Sequence, residues 1–139
     1  RYGAQIIKSR TGISKPCTSY TKEEDLSALI LSKLPLDCIF VDESQFLTIT
    51  QVWQLFCISS KHGLEIKCYG LRTDFNGNVF EGSKQLLGLA DELVHVKTIC
   101  NCGKFATMNR ILEKGSVDQI QIGGDEKYVS ECPKCWISK

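Results

Sequence analysis

Four of the eight cysteines form two close pairs, Cys100-Asn101-Cys102 and Cys132-Pro133-Lys134-Cys135. Two thiolate pairs on two tight turns can present four sulfurs in a tetrahedron, which suits a structural zinc ion. Gly103 follows the first pair, where such a turn favours a left-handed backbone. The first pair, C-x-C, is one residue tighter than the usual C-x₂₋₄-C spacing. The pairs therefore predict a closed zinc site that holds the fold, with two disulfides or unligated thiols as the alternative.

The other cysteines, Cys17, Cys38, Cys57 and Cys68, occur singly. The last three lie in apolar segments, where a thiol is usually a small buried hydrophobe. An extracellular disulfide framework would spread its cysteines over loops instead. The cysteine pattern therefore favours a cytoplasmic protein with a metal site.

A second group of residues that could take part in a reaction is the acid pair Asp42-Glu43. It directly follows the apolar run Cys38-Ile39-Phe40-Val41. Ligands of open α/β folds collect at the carboxyl ends of the strands. One carboxylate can orient Mg²⁺ while its neighbour takes a proton from an attacking hydroxyl. The pattern is typical of phosphoryl-transfer proteins, although a polar strand end that leads into a helix cap would look the same.

Aromatic residues and glycines occur in two further loops. Phe75 follows Asp74, and Gly123-Gly124 stands shortly before Tyr128. Aromatic rings offer faces on which a planar base can stack, and glycines free backbone groups for its edge. Ordinary core or hairpin packing is the alternative for both rings.

The elements that must position these residues follow from periodicity and capping signals. Strand 38–41, a helix over 49–62 with the capping box Thr48-Gln51 and C-terminal Gly63, and strand 64–69 predict a βαβ unit with parallel strands. A capping box at Thr21-Glu24 predicts an earlier helix that Pro35 ends. A helix over 83–91 and a strand over 93–97 complete this region, and a small module begins near Cys100.

The stretch 77–84, GNVFEGSK, resembles a phosphate-binding loop. Its Ser and Lys are interchanged, and it begins well past the end of the preceding strand. We interpret it as a turn followed by a helix start.

Charge and composition narrow the class of partner. Lys and Arg number 17 against 16 acids, a net charge of +1, which argues against a nucleic-acid-binding surface. No apolar run approaches the roughly 20 residues that span a bilayer. The first residues lack the features of a signal peptide, and a start at Arg1 suggests that sequence precedes it.

Taken together, the residues resemble the thymidine kinase family of the cellular, zinc-containing type, and its enterobacterial branch in particular. The matching motifs are VDESQFLT, CYGLRTDFNGNVFEGS, KTICNCGK and IGGDEKYVSECPKC. The tight C-x-C pair also matches that branch.

The resemblance implies a fold and an activity. The fold would be α/β, with a P-loop-type parallel sheet flanked by helices over residues 1–98 and a zinc-binding lasso module over residues 99–139. The family's phosphate loop and first strand would lie before Arg1. The activity would be ATP-dependent phosphorylation of the 5′-hydroxyl of thymidine, and of deoxyuridine, in deoxynucleoside salvage.

The resemblance also implies roles for single residues. Glu43 matches the proton acceptor. The magnesium and ATP side would be Asp42, Ser44, Gln45, Arg1 and Arg72. The nucleoside would contact Phe46, Leu71, Phe75, which stacks on the base, Met108, the lasso strand Gln119, Ile120, Gln121, Ile122 and Gly123, and Tyr128. The zinc ligands would be Cys100, Cys102, Cys132 and Cys135.

The family further implies structural Zn²⁺, Mg²⁺ with ATP, a homotetramer and feedback inhibition by thymidine triphosphate, with no nucleic-acid or membrane partner. In two segments, 17–22 and 112–117, this chain is shorter than the family pattern. A P-loop ATPase or helicase fragment and a zinc-ribbon binding module are the competing interpretations. The first predicts ATP hydrolysis stimulated by nucleic acid, and the second requires a basic surface.

Overall fold

The computed structural model describes residues 5–9, 11–112 and 128–138. In the first part of the chain, β1 (Ile6–Lys8) pairs antiparallel with β2 (Ser14–Pro16). Helix α1 (Leu26–Leu31) follows. Asp25 caps this helix, because its Oδ1 accepts hydrogen bonds from the backbone N–H groups of Ser27 and Ala28. The predicted cap at Thr21 is therefore wrong, although Thr21 N–H does donate to the Glu24 carboxylate at 2.9 Å.

The predicted βαβ unit is confirmed. β3 (Cys38–Val41) and β4 (Glu65–Cys68) run parallel, with Cys38 opposite Glu65 and Val41 opposite Cys68. Helix α2 (Ile49–His62) connects them and has both hydrogen bonds of the capping box at Thr48 and Gln51. Its C-cap is Gly63, whose φ of 62° is left-handed. These are the mixed helix and strand elements expected of an α/β chain.

Short elements complete the described chain. A 3₁₀ helix (Ser44–Phe46) follows β3, and α3 (Glu81–Leu89) follows the loop after β4. β5 (Thr98–Ile99) pairs antiparallel with β6 (Phe105–Ala106), and β7 (Met108–Ile111) with β8 (Tyr128–Glu131). Helix α4 (Pro133–Ile137) closes the order. Residues 93–97, predicted as a strand, form none, and the strand begins instead at Thr98.

The apolar faces meet in two clusters. The larger one packs α1 and α2 onto the parallel strands and contains Leu26, Ile30, Val41, Leu47, Val52, Leu55, Ile58 and Leu64. The smaller one contains Cys100, Ala106 and Cys132, with Cys135 packed against it. The larger cluster includes Val41 and so fixes the carboxyl end of β3. The smaller one includes members of both cysteine pairs.

Candidate functional site

The acid pair stands where β3 ends, in an unusual backbone conformation. Glu43 has φ 52° and ψ 37°, in the left-handed region that costs a non-glycine residue about 1–2 kcal/mol. The Asp42 carboxylate accepts a hydrogen bond from the Glu43 N–H at 2.9 Å. Such strain is found preferentially at functional sites. The sequence did not reveal this turn of the backbone, at which both acids are exposed.

The adjacent strand is joined to the acid pair through the backbone. Tyr69 N–H donates to Val41 O at 2.8 Å, and Ser44 N–H donates to Tyr69 O at 2.9 Å. The parallel pairing of β3 and β4 therefore continues past Val41 into the 3₁₀ helix. As a result, the loop after β4 leaves the sheet beside Ser44.

Gln45 connects the acid pair with this loop through its side chain. It is 3% exposed. Its Nε2 donates to Glu43 Oε2 at 2.6 Å, and its Oε1 accepts from Leu71 N–H at 3.0 Å. The structure therefore brings together three residues that the sequence singled out, Glu43, Gln45 and Leu71.

The loop after β4 is built around a buried aspartate. Asp74 is 3% exposed, and its Oδ1 accepts from the N–H groups of Asn76 at 2.9 Å and Asn78 at 2.8 Å. Gly77, with φ 85°, permits the turn between them. Phe75 is half-buried inside this turn. Asp74 therefore orders the backbone of the loop that carries Phe75, the residue whose ring was predicted to stack on a base.

Two further contacts fasten the loop to α3. Ser83 Oγ donates to Leu71 O at 2.6 Å, and Phe80 N–H donates to Arg72 O at 3.3 Å. Phe80 also packs edge-to-face on Phe46, with 5.7 Å between ring centroids. Arg72 and Leu71 are themselves exposed.

Tyr20 is a neighbour of the acid pair that sequence reasoning missed. Its hydroxyl donates to the backbone oxygen of Asp42 at 3.5 Å, a long hydrogen bond. Burial, followed by the negative charges of Cys68, Asp42 and Glu43, raises the pKa of Tyr20 to about 12. The tyrosine therefore stays neutral beside the acids, and no motif in the sequence marked it.

The paired cysteines converge into one cluster. The sulfurs of Cys100, Cys102, Cys132 and Cys135 all lie within 4.8 Å of one another. Cys102 Sγ and Cys132 Sγ are 3.6 Å apart, whereas a disulfide bond is about 2.05 Å long. Zn–S bonds of about 2.3 Å in a tetrahedron place sulfurs about 3.8 Å apart. The donor set therefore fits a structural zinc ion, and all eight cysteines are free thiols rather than disulfides.

Backbone hydrogen bonds favour the thiolate form, which binds metal, at two of the four cysteines, Cys100 and Cys132. Cys100 lies on the turn between β5 and β6, where its N–H donates to Lys104 O at 2.8 Å and Gly103 has φ 82°. Hydrogen bonds from the backbone of Cys102 and Cys132 lower the pKa of the Cys100 thiol to about 7. The backbone of Cys135 likewise lowers the pKa of Cys132, whereas hydrogen bonds with the other three thiols, first with Cys102, raise that of Cys135 to about 12.

Arg110 on β7 links strand β8 to helix α4 beside the four cysteines. Its Nε forms a 2.6 Å ion pair with the Glu131 carboxylate, and the two side chains are 21% and 9% exposed. Its guanidinium also donates to the backbone oxygens of Cys135 at 3.1 Å and Trp136 at 2.6 Å. Arg110 therefore binds backbone oxygens of α4, the helix that carries Cys135 and is preceded by Cys132 at its N-cap, and sequence reasoning missed it.

The remaining predicted residues fall into two groups. Met108 lies at the start of β7, and Tyr128 at the start of β8 is opposite Ile111. Arg1 and the segment Gln119, Ile120, Gln121, Ile122 and Gly123 lie outside the described residues. The roles assigned to them stay predictions.

Comparison with known proteins decides the family. The family model described as "Thymidine kinase" matches residues 1–136. The chain belongs to the thymidine kinase family. A thymidine kinase of Idiomarina loihiensis is 44% identical over 144 residues, which is 98% of this chain and 75% of that protein. A thymidine kinase of Pasteurella multocida is 49% identical over 140 residues, 95% of this chain and 73% of that protein.

The family assignment confirms part of the sequence interpretation. The prediction of an enzyme of the thymidine kinase family, a transferase, is confirmed. A thymidine kinase of Rhizobium etli, 42% identical over 98% of this chain and 72% of that protein, adds a more distant member of the family. Among the described residues, no helix is long and apolar enough to span a membrane.

Proposed function

We propose that the protein transfers the γ-phosphoryl group of ATP to the 5′-hydroxyl of thymidine, and that it accepts deoxyuridine as well. The observation that carries this proposal is the hydrogen-bonded path from Glu43 through Gln45 to Leu71. It places a candidate proton acceptor beside the loop that holds Phe75. Membership of a family whose curated members are named thymidine kinase supports the choice of nucleoside.

Glu43 would accept the proton of the nucleoside hydroxyl as the new P–O bond forms. General-base catalysis of this kind contributes about 10²–10⁴-fold. Asp42, which follows β3 directly, would hold Mg²⁺ with ATP. Ser44, Gln45, Arg1 and Arg72 would belong to the same side of the site. Phosphoryl transfer relies mostly on positioning and charge neutralisation, which a rigid strand end supplies.

The nucleoside would lie between the Asp74 loop and the cysteine module. Phe75 would stack on the pyrimidine ring. The other side chains that we assign to nucleoside binding are Phe46, Leu71, Met108 and Tyr128. The segment 119–123 would read the base edge through its main chain. Zinc bound by the four cysteines would fix the root of that segment, because β7, β8 and α4 meet at the cluster.

The wider assignments belong to the same proposal. Residues 1–98 would form an α/β nucleotide-kinase domain with a P-loop-type sheet, and residues 99–139 a zinc-binding lasso domain. The enzyme would work in the cytoplasm as a homotetramer, in deoxynucleoside salvage, under feedback inhibition by thymidine triphosphate.

The experiment uses the full-length protein, with any residues that precede Arg1. It is mixed with ATP, Mg²⁺ and each common nucleoside in turn, and monophosphate is measured by chromatography. Thymidine and deoxyuridine should be phosphorylated, and purine nucleosides should not. ATP hydrolysis that needs single-stranded DNA and no nucleoside would instead identify an ATPase.

A further inference from the structure

The side chain of Gln45 makes two contacts that its implied place on the ATP side does not explain, one with Glu43 and one with Leu71. We propose that Gln45 is a positioning residue, whose amide holds the Glu43 carboxylate in place and joins it to the loop after β4, which contains Leu71 and Phe75. This inference rests on the proposed function of Glu43. The observation behind it is a buried amide that makes one hydrogen bond to the acid and one to Leu71.

The orientation of the Gln45 amide is determined by the loop. Leu71 N–H is a donor and requires an oxygen, so Oε1 of Gln45 must face it. The NH₂ group must then point the other way, where Glu43 Oε2 lies 2.6 Å from Nε2. A carboxylate oxygen accepts and cannot donate, so both contacts are satisfied in one orientation of the amide only.

The surroundings leave Gln45 little room to move. A Cβ added at Gly70 would lie 2.5 Å from Gln45 Oε1 and 2.9 Å from its backbone nitrogen. A Cβ at Gly82 would lie 2.8 Å from Gln45 O. The loop after β4, at Gly70, and helix α3, at Gly82, therefore approach this residue closely where only glycine fits. A side chain held in this way transmits the position of the loop to Glu43.

The chemistry of an amide suits this position. It donates to a carboxylate without adding charge, so it orients Glu43 both before and after the acid has taken a proton. A carboxylate at position 45 would still accept from Leu71 N–H, but it would place an oxygen against Glu43 Oε2. The substitution Gln45→Glu therefore removes the donor and leaves the contact with the loop.

The test compares wild type, Gln45→Glu, Glu43→Gln and the double variant in the full-length protein, by steady-state phosphorylation of thymidine. Gln45→Glu should lower kcat about 100-fold, a loss within the range of a misplaced general base, with both KM values changed less than about threefold. In the Glu43→Gln background the same substitution should cost less than about threefold. Residues that act as one unit are non-additive in this way.

Gln51 provides a matched control. It is also a buried amide, with Oε1 accepting from Thr48 N–H at 3.2 Å and Nε2 donating to Thr21 O at 2.7 Å. Gln51→Glu replaces a buried donor whose hydrogen bonds go to Thr21 and Glu24 rather than to Glu43. It should lower the melting temperature and leave kcat within about threefold of wild type.

The outcomes separate the two proposals. If wild type does not phosphorylate thymidine, the proposed function falls, and the role of Gln45 falls with it. If wild type is active and Gln45→Glu keeps its kcat, or loses as much in the Glu43→Gln background as alone, Gln45 has no positioning role. Should Gln45→Glu not fold, Gln45→Met, which is similar in size and lacks the donor, must show the same loss and the same non-additivity.

Discussion

Gly77, in the loop between β4 and α3, is close to the ring of Trp136 in α4. A Cβ added at Gly77 would lie 3.4 Å from Cη2 of Trp136 and 3.7 Å from Cε of Met108. Gly77 belongs to the loop that holds Phe75, and Trp136 belongs to α4, which carries Cys135. Trp136 is fixed in turn by its Nε1–H, which donates to Asn109 O at 3.2 Å. The loop that carries Phe75 therefore packs against α4 and the start of β7.

This contact predicts the effect of Gly77→Ala. The φ of 85° costs an alanine about 1–2 kcal/mol, and the new methyl group would be in van der Waals contact with Trp136. We expect a stability loss of about that size in urea denaturation and a higher KM for thymidine, with kcat little changed. Gly88→Ala is the control, since Gly88 lies inside α3 with nothing within 4 Å of an added Cβ. It should stabilise the protein slightly, and a loss equal to that of Gly77→Ala would contradict the explanation.

The four sulfurs predict metal dependence. Cys135→Ser should bring the zinc content, measured by atomic emission, from one ion per chain to near zero, and should lower the melting temperature. The reason is that three remaining thiolates form an incomplete tetrahedral site. Cys57→Ser, an exposed thiol on α2, should keep both values. Full zinc content in Cys135→Ser would remove the cluster from this role.

The ion pair behind the cluster predicts a large stability effect. Arg110→Met removes a charged partner of the Glu131 carboxylate, which is 9% exposed, and this should cost about 3 kcal/mol. It should also speed zinc release to a chelator, because two carbonyls of α4 lose their donor. Lys67→Met removes a pair whose side chains are 45% and 63% exposed and should cost less than about 1 kcal/mol. Equal costs in urea denaturation would show that burial does not govern the Arg110 pair.

The single thiols should differ in reactivity. Burial raises the pKa of Cys68 to about 11, so it is the thiol form that persists at neutral pH. At pH 8 only about one Cys68 in a thousand is a thiolate, and its alkylation rate should rise about tenfold per pH unit up to pH 11. Mass spectrometry after iodoacetamide treatment should show exposed Cys57 modified first. Equal rates for both at pH 8 would contradict the burial of Cys68.

Local signals in the sequence predicted much of the scaffold. The capping box at Thr48 and Gly63 at the other end gave α2 its bounds, because each satisfies backbone groups by itself. The apolar run before Asp42 gave β3. The earlier helix was misplaced because Asp25, not Thr21, has the backbone and side-chain geometry of a cap. Segment 93–97 contains the apolar residues Leu93, Val94 and Val96 but forms no strand, and all three side chains are exposed.

The sequence predicted which residues belong to the candidate site, but not the hydrogen bonds and ion pairs between them. The cysteine spacing predicted the cluster, since four thiols in two pairs have few other uses. The left-handed backbone of Glu43, the bridge through Gln45 and the ion pair of Arg110 depend on residues that tertiary packing brings together. No periodicity encodes such contacts. The roles of Arg1 and residues 119–123 stay predictions, because these residues lie outside the described part of the chain.

The central claim is that Glu43 accepts the proton of the nucleoside hydroxyl. Its most direct test is kcat for thymidine phosphorylation by Glu43→Gln in the full-length protein, with thymidine affinity measured by calorimetry on the same sample. Glu65→Gln, on exposed β4, serves as the control. The account predicts a fall in kcat of about 10²–10⁴-fold with affinity changed less than about threefold. An unchanged kcat in Glu43→Gln would contradict it.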